Sequence, residues 1–237
     1  MYLIITFLVL AFLLSFWTGY RRILRLQHLN QRRVVNGFVG AMILLTVISA
    51  GQWLDLISWD IAAHFTMFLY CIVSGFFFGF AIKMIALKRS AREVKYVYRS
   101  FWTDAAPNIL AILIIVFGIY RTGILHFGPY TGIGITSGLS LLGFGLWGST
   151  IKIVPEFRDK AILILDQSVS WKKVVAYRWQ TENVLLIEYY TTDKKLTDFT
   201  TYIPPEEELR IERLLAKKLK EYHQDRKEMM SKQGNNP

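Results

Sequence analysis

A chain of 237 residues with 53% hydrophobic residues and a mean hydropathy of +0.31 is too apolar for an ordinary soluble domain. Its net charge of +10 is concentrated early: residues 1–150 carry 12 Lys and Arg against four Asp and Glu, whereas residues 151–237 carry 16 against 14. A nucleic-acid binder would place its basic excess on the soluble part, and a lone cysteine, Cys71, excludes a disulfide framework or a paired redox thiol.

The expected fold class is a membrane α-helical bundle of five transmembrane helices over residues 1–155. A small C-terminal α+β domain over 156–227 follows, with a disordered tail over 228–237. The first span, about 2–19, has no basic residue ahead of it and Arg21, Arg22 and Arg25 behind it. A secretory signal peptide has the opposite charge order, so the segment reads as an anchor. A second span covers about 35–54 and a third 61–87. Lys88, Arg89, Arg92, Lys95 and Arg99 follow the third. The fourth span, about 107–126, begins at Pro107 with Thr103 and Asp104 as candidate caps. The fifth, 130–154, has no charge before Lys152 and is long enough to cross a hydrocarbon core of about 30 Å.

Lys and Arg are retained in cytoplasmic loops. The loops after spans one and three are strongly basic and the turns after spans two and four are not, so the N-terminus is placed outside and the C-terminus in the cytoplasm. The expected location is a bacterial inner membrane. On the fifth span, Gly134, Gly138, Gly145 and Gly148 share one arc of the helix. Such a smooth stripe lets another helix approach closely; a pore or substrate groove is the other reading.

Past Pro155 the periodicity changes to two. Ala161–Leu165, Val174–Trp179, Val184–Tyr190 and Phe199–Ile203 read as antiparallel strands. Pro204-Pro205 and Glu206–Glu208 then start a helix reaching about Lys227, with Ile211, Leu214, Leu215, Leu219 and Tyr222 on its apolar face. The run Ile162-x-Ile164-Leu165-Asp166-x-x-Val169-x-Trp171-x-x-Val174-x-x-Tyr177-x-Trp179, with two further strands and a Pro-Glu-started helix, resembles the pleckstrin-homology-like modules appended to membrane spans in many bacterial proteins. The resemblance covers Ala161 to Tyr222. It implies that Trp171, Tyr177 and Trp179 seat the chain against the sheet, with Leu215 and Leu219 closing it. It also implies scaffolding, self-assembly or regulation rather than catalysis. A full pleckstrin-homology fold has seven strands, and the sequence displays four, or five if Ser168–Trp179 bends into two.

No phosphate-cradling Gly-x-x-x-x-Gly-Lys, nucleophile elbow, His-Glu-x-x-His or paired-Cys motif occurs. No catalytic residue, cofactor or metal is assigned. One polar gathering is expected at the outer face, from Asp55, Asp60, His64, Arg121 and His126. Its plain reading is an interfacial pair between Arg121 and one of the aspartates; an ion route or a metal site using the histidines are the alternatives. At the inner face Lys88, Arg89, Arg92, Lys95 and Arg99 are expected to contact anionic lipid head groups, each gaining about 1 kcal/mol from the negative leaflet. The leading expectation is a non-enzymatic protein whose module binds another copy or another membrane or cytoplasmic protein, and no nucleic acid. A small transporter or permease component using the outer Asp/Arg cluster is the alternative.

Overall fold

Long runs of Leu, Ile, Val and Phe satisfy their backbone groups internally only as helices when water is excluded. The computed structural model describes residues 2–23, 31–126, 128–191 and 195–225. It has helices α1 (Tyr2–Arg21), α2 (Gln31–Trp53), α3 (Trp59–Ser90), α4 (Ala106–Arg121) and α5 (Gly132–Thr150). Among the described residues, three helical stretches are long and apolar enough to cross a membrane: Tyr2–Arg21, Trp59–Ser90 and Phe101–Arg121. The expected tail over 228–237 lies outside the described residues.

The chain divides into two units, Met1–Ala86 with Asp104–Ile151, and Leu87–Thr103 with Lys152–Pro237. In the first, small residues bring helix backbones together. A Cβ placed on Gly75 would fall on the Phe12 carbonyl oxygen, and one on Gly79 on that of Phe16, so α3 and α1 touch backbone to backbone. Ser15, on the same side of α1, donates its hydroxyl to the Ile72 carbonyl. Phe77 meets Phe144 and Trp147 of α5, with ring centroids 5.0 and 4.9 Å apart.

The entry to α4 differs from the expected capping by Thr103 and Asp104. Ser100 and Thr103 bond each other reciprocally, each hydroxyl accepting from the other's backbone N–H at 3.3 Å. Asp104 accepts from Asn108 Nδ2. With both candidate caps committed, a π-helical turn over Phe101–Ala105 precedes α4.

Among the described residues the second unit holds seven strands, where the sequence displays four, or five if Ser168–Trp179 bends into two. Strands β1 (Val94–Val97), β2 (Lys152–Arg158), β3 (Ala161–Leu165) and β4 (Gln167–Ser170) form one antiparallel sheet in that order. Strands β5 (Val174–Thr181), β6 (Val184–Tyr190) and β7 (Leu196–Tyr202) form another. β4 and β5 are the two halves of the Ser168–Trp179 stretch bent at Trp171–Lys173, the alternative that makes five, and the remaining two, β1 and β2, were hidden, each for its own reason. β1 lies inside the basic loop after the third span, where Lys and Arg speak only of topology. β2 begins where the fifth span was expected to continue: α5 stops at Thr150 and Ile151 is already extended, at φ −71° and ψ 141°. Pro155, expected to end the helix, sits within β2 between Lys152 and Glu156, where the pairing with β3 is irregular. A residue without an N–H is tolerated at such a break in the ladder. β4 is four residues long and mostly polar.

Helix α6 (Glu208–Glu221) buries Ile211 and Leu215 completely, in one core with Tyr96, Phe157, Ile162, Trp171, Val174, Leu185 and Ile187. The core therefore takes a residue from the loop between two membrane helices and joins it to the C-terminal segment.

Candidate functional site

The last turn of α3 carries Lys88 and Arg89, and the chain reverses through Ala91, Arg92 and Glu93 into β1. Two backbone bonds hold this reversal against the β2–β3 turn: Asp159 N–H donates to Glu93 O at 2.9 Å and Lys160 N–H to Ala91 O at 3.3 Å. Arg158 adds the strongest tie. Its Nη1 donates to the carbonyls of Lys88 (3.0 Å) and Arg92 (2.9 Å), while Nε and Nη2 donate to Glu156 Oε2 at 2.9 and 2.7 Å. A guanidinium at a helix C-terminus satisfies carbonyls that have no partner within the helix and complements the negative end of its dipole. Glu156, only 5% exposed, holds that guanidinium flat and also lies 3.7 Å from Lys152 Nζ.

Above this tie lies a cleft of about 690 Å³ lined by Lys88, Arg89, Arg92, Glu93, Lys95, Arg158 and Asp159. Its two acids are each already paired. Glu93 Oε2 accepts from Lys95 Nζ at 2.9 Å, and Asp159 Oδ1 accepts from Lys218 Nζ at 2.9 Å. Lys218 also reaches Glu221 at 3.0 Å and is only 5% exposed, so it pins α6 to the β2–β3 turn. The Lys218 hydrogen bond holds the Asp159 carboxyl below its ordinary range. Burial works against the Lys218 charge, but the hydrogen bonds it donates to Asp159 and Glu221 outweigh it and leave that ammonium harder to deprotonate. Nearby in the core, burial first and the Glu207 carboxylate second push the Tyr96 phenol upward.

Four of the five cations expected at the inner face thus line one cleft, and Arg99 does not: it is exposed on the link between β1 and the π-helical turn. Trp171 is fully buried and its Nε1 donates to Arg158 O at 2.8 Å. Trp179 Nε1 donates to Glu212 Oε1 of α6 at 2.9 Å, and Tyr177 and Leu219 pack partly buried against the core that contains Leu215.

The four stripe glycines of α5 face α4, whereas Gly132 and Gly143 of the same helix face α3. A Cβ on Gly138 would stand 2.7 Å from Gly118 O, and one on Gly145 3.0 Å from Ala111 O. One on Gly134 would come within 3.2 Å of Arg121 O, while Gly148 has more room, 3.8 Å from Ala111 Cβ. The space along the stripe is occupied by α4.

The outer-face residues do not assemble into the expected pair. Among the described residues, no ion pair joins Arg121 to Asp55 or Asp60, and no three His, Cys, Asp or Glu gather around a metal-sized space. Asp60 lies in the first turn of α3 and Arg121 in the last turn of α4, where each charge complements its own helix end. Asp55 occupies the α2–α3 turn at φ 55°, and His64 Nδ1 lies 2.6 Å from the Asp60 carbonyl oxygen. The His126 side chain lies outside the described residues.

Sequence reasoning missed Arg158, Glu156, Lys218 and Tyr96. The charged three looked like ordinary surface residues, and Tyr96 sat in a segment read as a loop.

Residues 152–220 match the profile of a domain of unknown function, DUF5673. That stretch runs from the start of β2 to the last turn of α6 and omits β1. No curated protein and no solved structure matches the chain.

Proposed function

We propose that this is an integral protein of the bacterial cytoplasmic membrane, crossing it five times with its N-terminus outside. Its pleckstrin-homology-like module sits in the cytoplasm and serves scaffolding, assembly or regulation by binding a second copy or another protein. The observation that carries the reading is the joint construction of the module from Leu87–Thr103 and Lys152 onward. One folded domain occupies one side of a bilayer, so residues 103 and 152 share a side and α4 with α5 make an even number of crossings. The basic loops favour the cytoplasm for that side. Antiparallel sheets of four and three strands followed by a C-terminal helix support the pleckstrin-homology likeness.

Photocrosslinking in intact cells tests the interaction role, with the probe replacing exposed Arg178 or Leu209. Discrete crosslinked species from either position are expected. A chain that remains monomeric in nanodiscs and yields no crosslinked species from either position would refute the role.

A further inference from the structure

We propose that the cleft between the end of α3 and the β2–β3 turn binds a phosphate-bearing anion, with Arg89 and Arg92 as its principal ligands and Lys88 on the same wall. The inference rests on the reading of residues 87–103 and 152–225 as one module, and gives that module a ligand class. Three observations lead there. The first is charge: five cations and two acids line the cleft, and both acids are engaged, Glu93 by Lys95 and Asp159 by Lys218. Among the described residues Arg89 and Arg92 have no acid within ion-pair distance, so the field of the cleft is positive.

The second is the backbone of Arg92, at φ +62°. This position, just beyond the end of α3, is one that glycine usually fills because a side chain is strained there. An arginine persists there because its surroundings over-determine the conformation. Arg158 Nη1 grips its carbonyl at 2.9 Å, and its own N–H donates to Arg89 O at 3.2 Å. A residue that glycine would replace at lower cost is explained by what its side chain supplies, here a guanidinium on the cleft wall.

The third is rigidity. Arg158 is fixed by four hydrogen bonds, and Asp159 by Lys218, so the floor is set before any ligand arrives. Planar guanidinium groups on a rigid floor suit the paired oxygens of a phosphate better than a lysine cluster would. The phosphate has two possible sources, an anionic lipid head group or a soluble phosphate.

The test uses the full chain in phosphatidylcholine nanodiscs. Inorganic pyrophosphate is titrated calorimetrically, and short-chain phosphatidylglycerol is compared with short-chain phosphatidylcholine by native mass spectrometry. Binding of at least one anionic probe is expected. Arg89→Gln and Arg92→Gly should each weaken it by about tenfold, as for loss of a charge-assisted contact, while Arg178→Gln, at an exposed pair with Glu188, changes nothing. Arg92→Gly keeps the backbone it needs, so its module should melt no lower than the wild type, which separates lost charge from lost fold. Pyrophosphate binding alone identifies a soluble ligand, and selective phosphatidylglycerol retention identifies a lipid; either supports the site. Absence of binding to both probes, or undiminished binding by the Arg89→Gln/Arg92→Gly double variant, overturns it. Crosslinking from Arg178 or Leu209 that persists alongside that result leaves the interaction module standing without the anion site.

Discussion

Tyr96→Ala discriminates most sharply between a loop that merely connects two membrane helices and a strand that completes a soluble core. Tyr96 is 4% exposed, its ring centroid lies 5.8 Å from that of Phe157, and Phe157 is itself fully buried. Removing a buried aromatic ring costs about 3–5 kcal/mol, through lost transfer free energy and the cavity left behind. A domain of this kind has about 5–15 kcal/mol in all. At 1.4 kcal/mol per tenfold, the substitution raises the unfolded population of the module at least about a hundredfold. The assay is amide hydrogen exchange of β2, β3 and α6 in the full chain, together with a thermal melt followed by Trp171 fluorescence. Protection across all three elements should fall together. Val94→Ala, at a 41% exposed position of the same strand, should stay within about 0.5 kcal/mol of the wild type. Tyr96→Phe, which keeps the buried ring, should cost far less than Tyr96→Ala. A Tyr96→Ala protein that exchanges and melts like the wild type would refute the assignment of residues 94–97 to the core.

Three further outcomes follow from the same geometry. Gly138→Val should lower the melting temperature in detergent by an amount corresponding to about 1–3 kcal/mol or more, since its side chain would meet the Gly118 carbonyl; Gly37→Ala, with nothing within 4 Å, should be neutral or slightly stabilising. The folded-state pKa of Asp159 lies below its ordinary 3.8, so its contribution is complete above that value and lost as pH falls through the lower folded one. Lys218 is shifted above 10.5, so its share is complete below that value and lost as pH rises through the higher folded one. Asp159→Asn should therefore destabilise the module at neutral pH and flatten its acid limb; a melting profile in acid identical to the wild type would contradict the contact. In a Cys71→Ala background, Arg99→Cys and Lys217→Cys should be labelled from the same membrane face and Tyr130→Cys from the other, and labelling of the first two from opposite faces would break the single-module construction.

Apolar runs, their lengths and the placement of Arg and Lys are properties of the chain itself. The helices were therefore legible to within a few residues, as were β3 from its apolar run, β5, β6 and β7 from their alternation, and α6 from its apolar face. Leu215 was readable as core for the same reason: burial of a large apolar group at the right period depends little on what lies far away in sequence, whereas Trp171 was placed in the core by the pleckstrin-homology-like resemblance. Val94–Val97 carried no such signal, because four residues that include Lys95 and lie between Arg92 and Arg99 become a strand only when Lys152–Arg158 lies beside them. Lys152–Val154, the first part of that strand, in turn looked like the end of a span because apolar residues serve a central strand and a lipid-facing helix equally well. The ties made by Arg158 and Lys218 join residues 70 and 59 positions apart. A charge buried against distant carbonyls or carboxylates is indistinguishable in one dimension from a charge in water, and only the folded chain tells them apart.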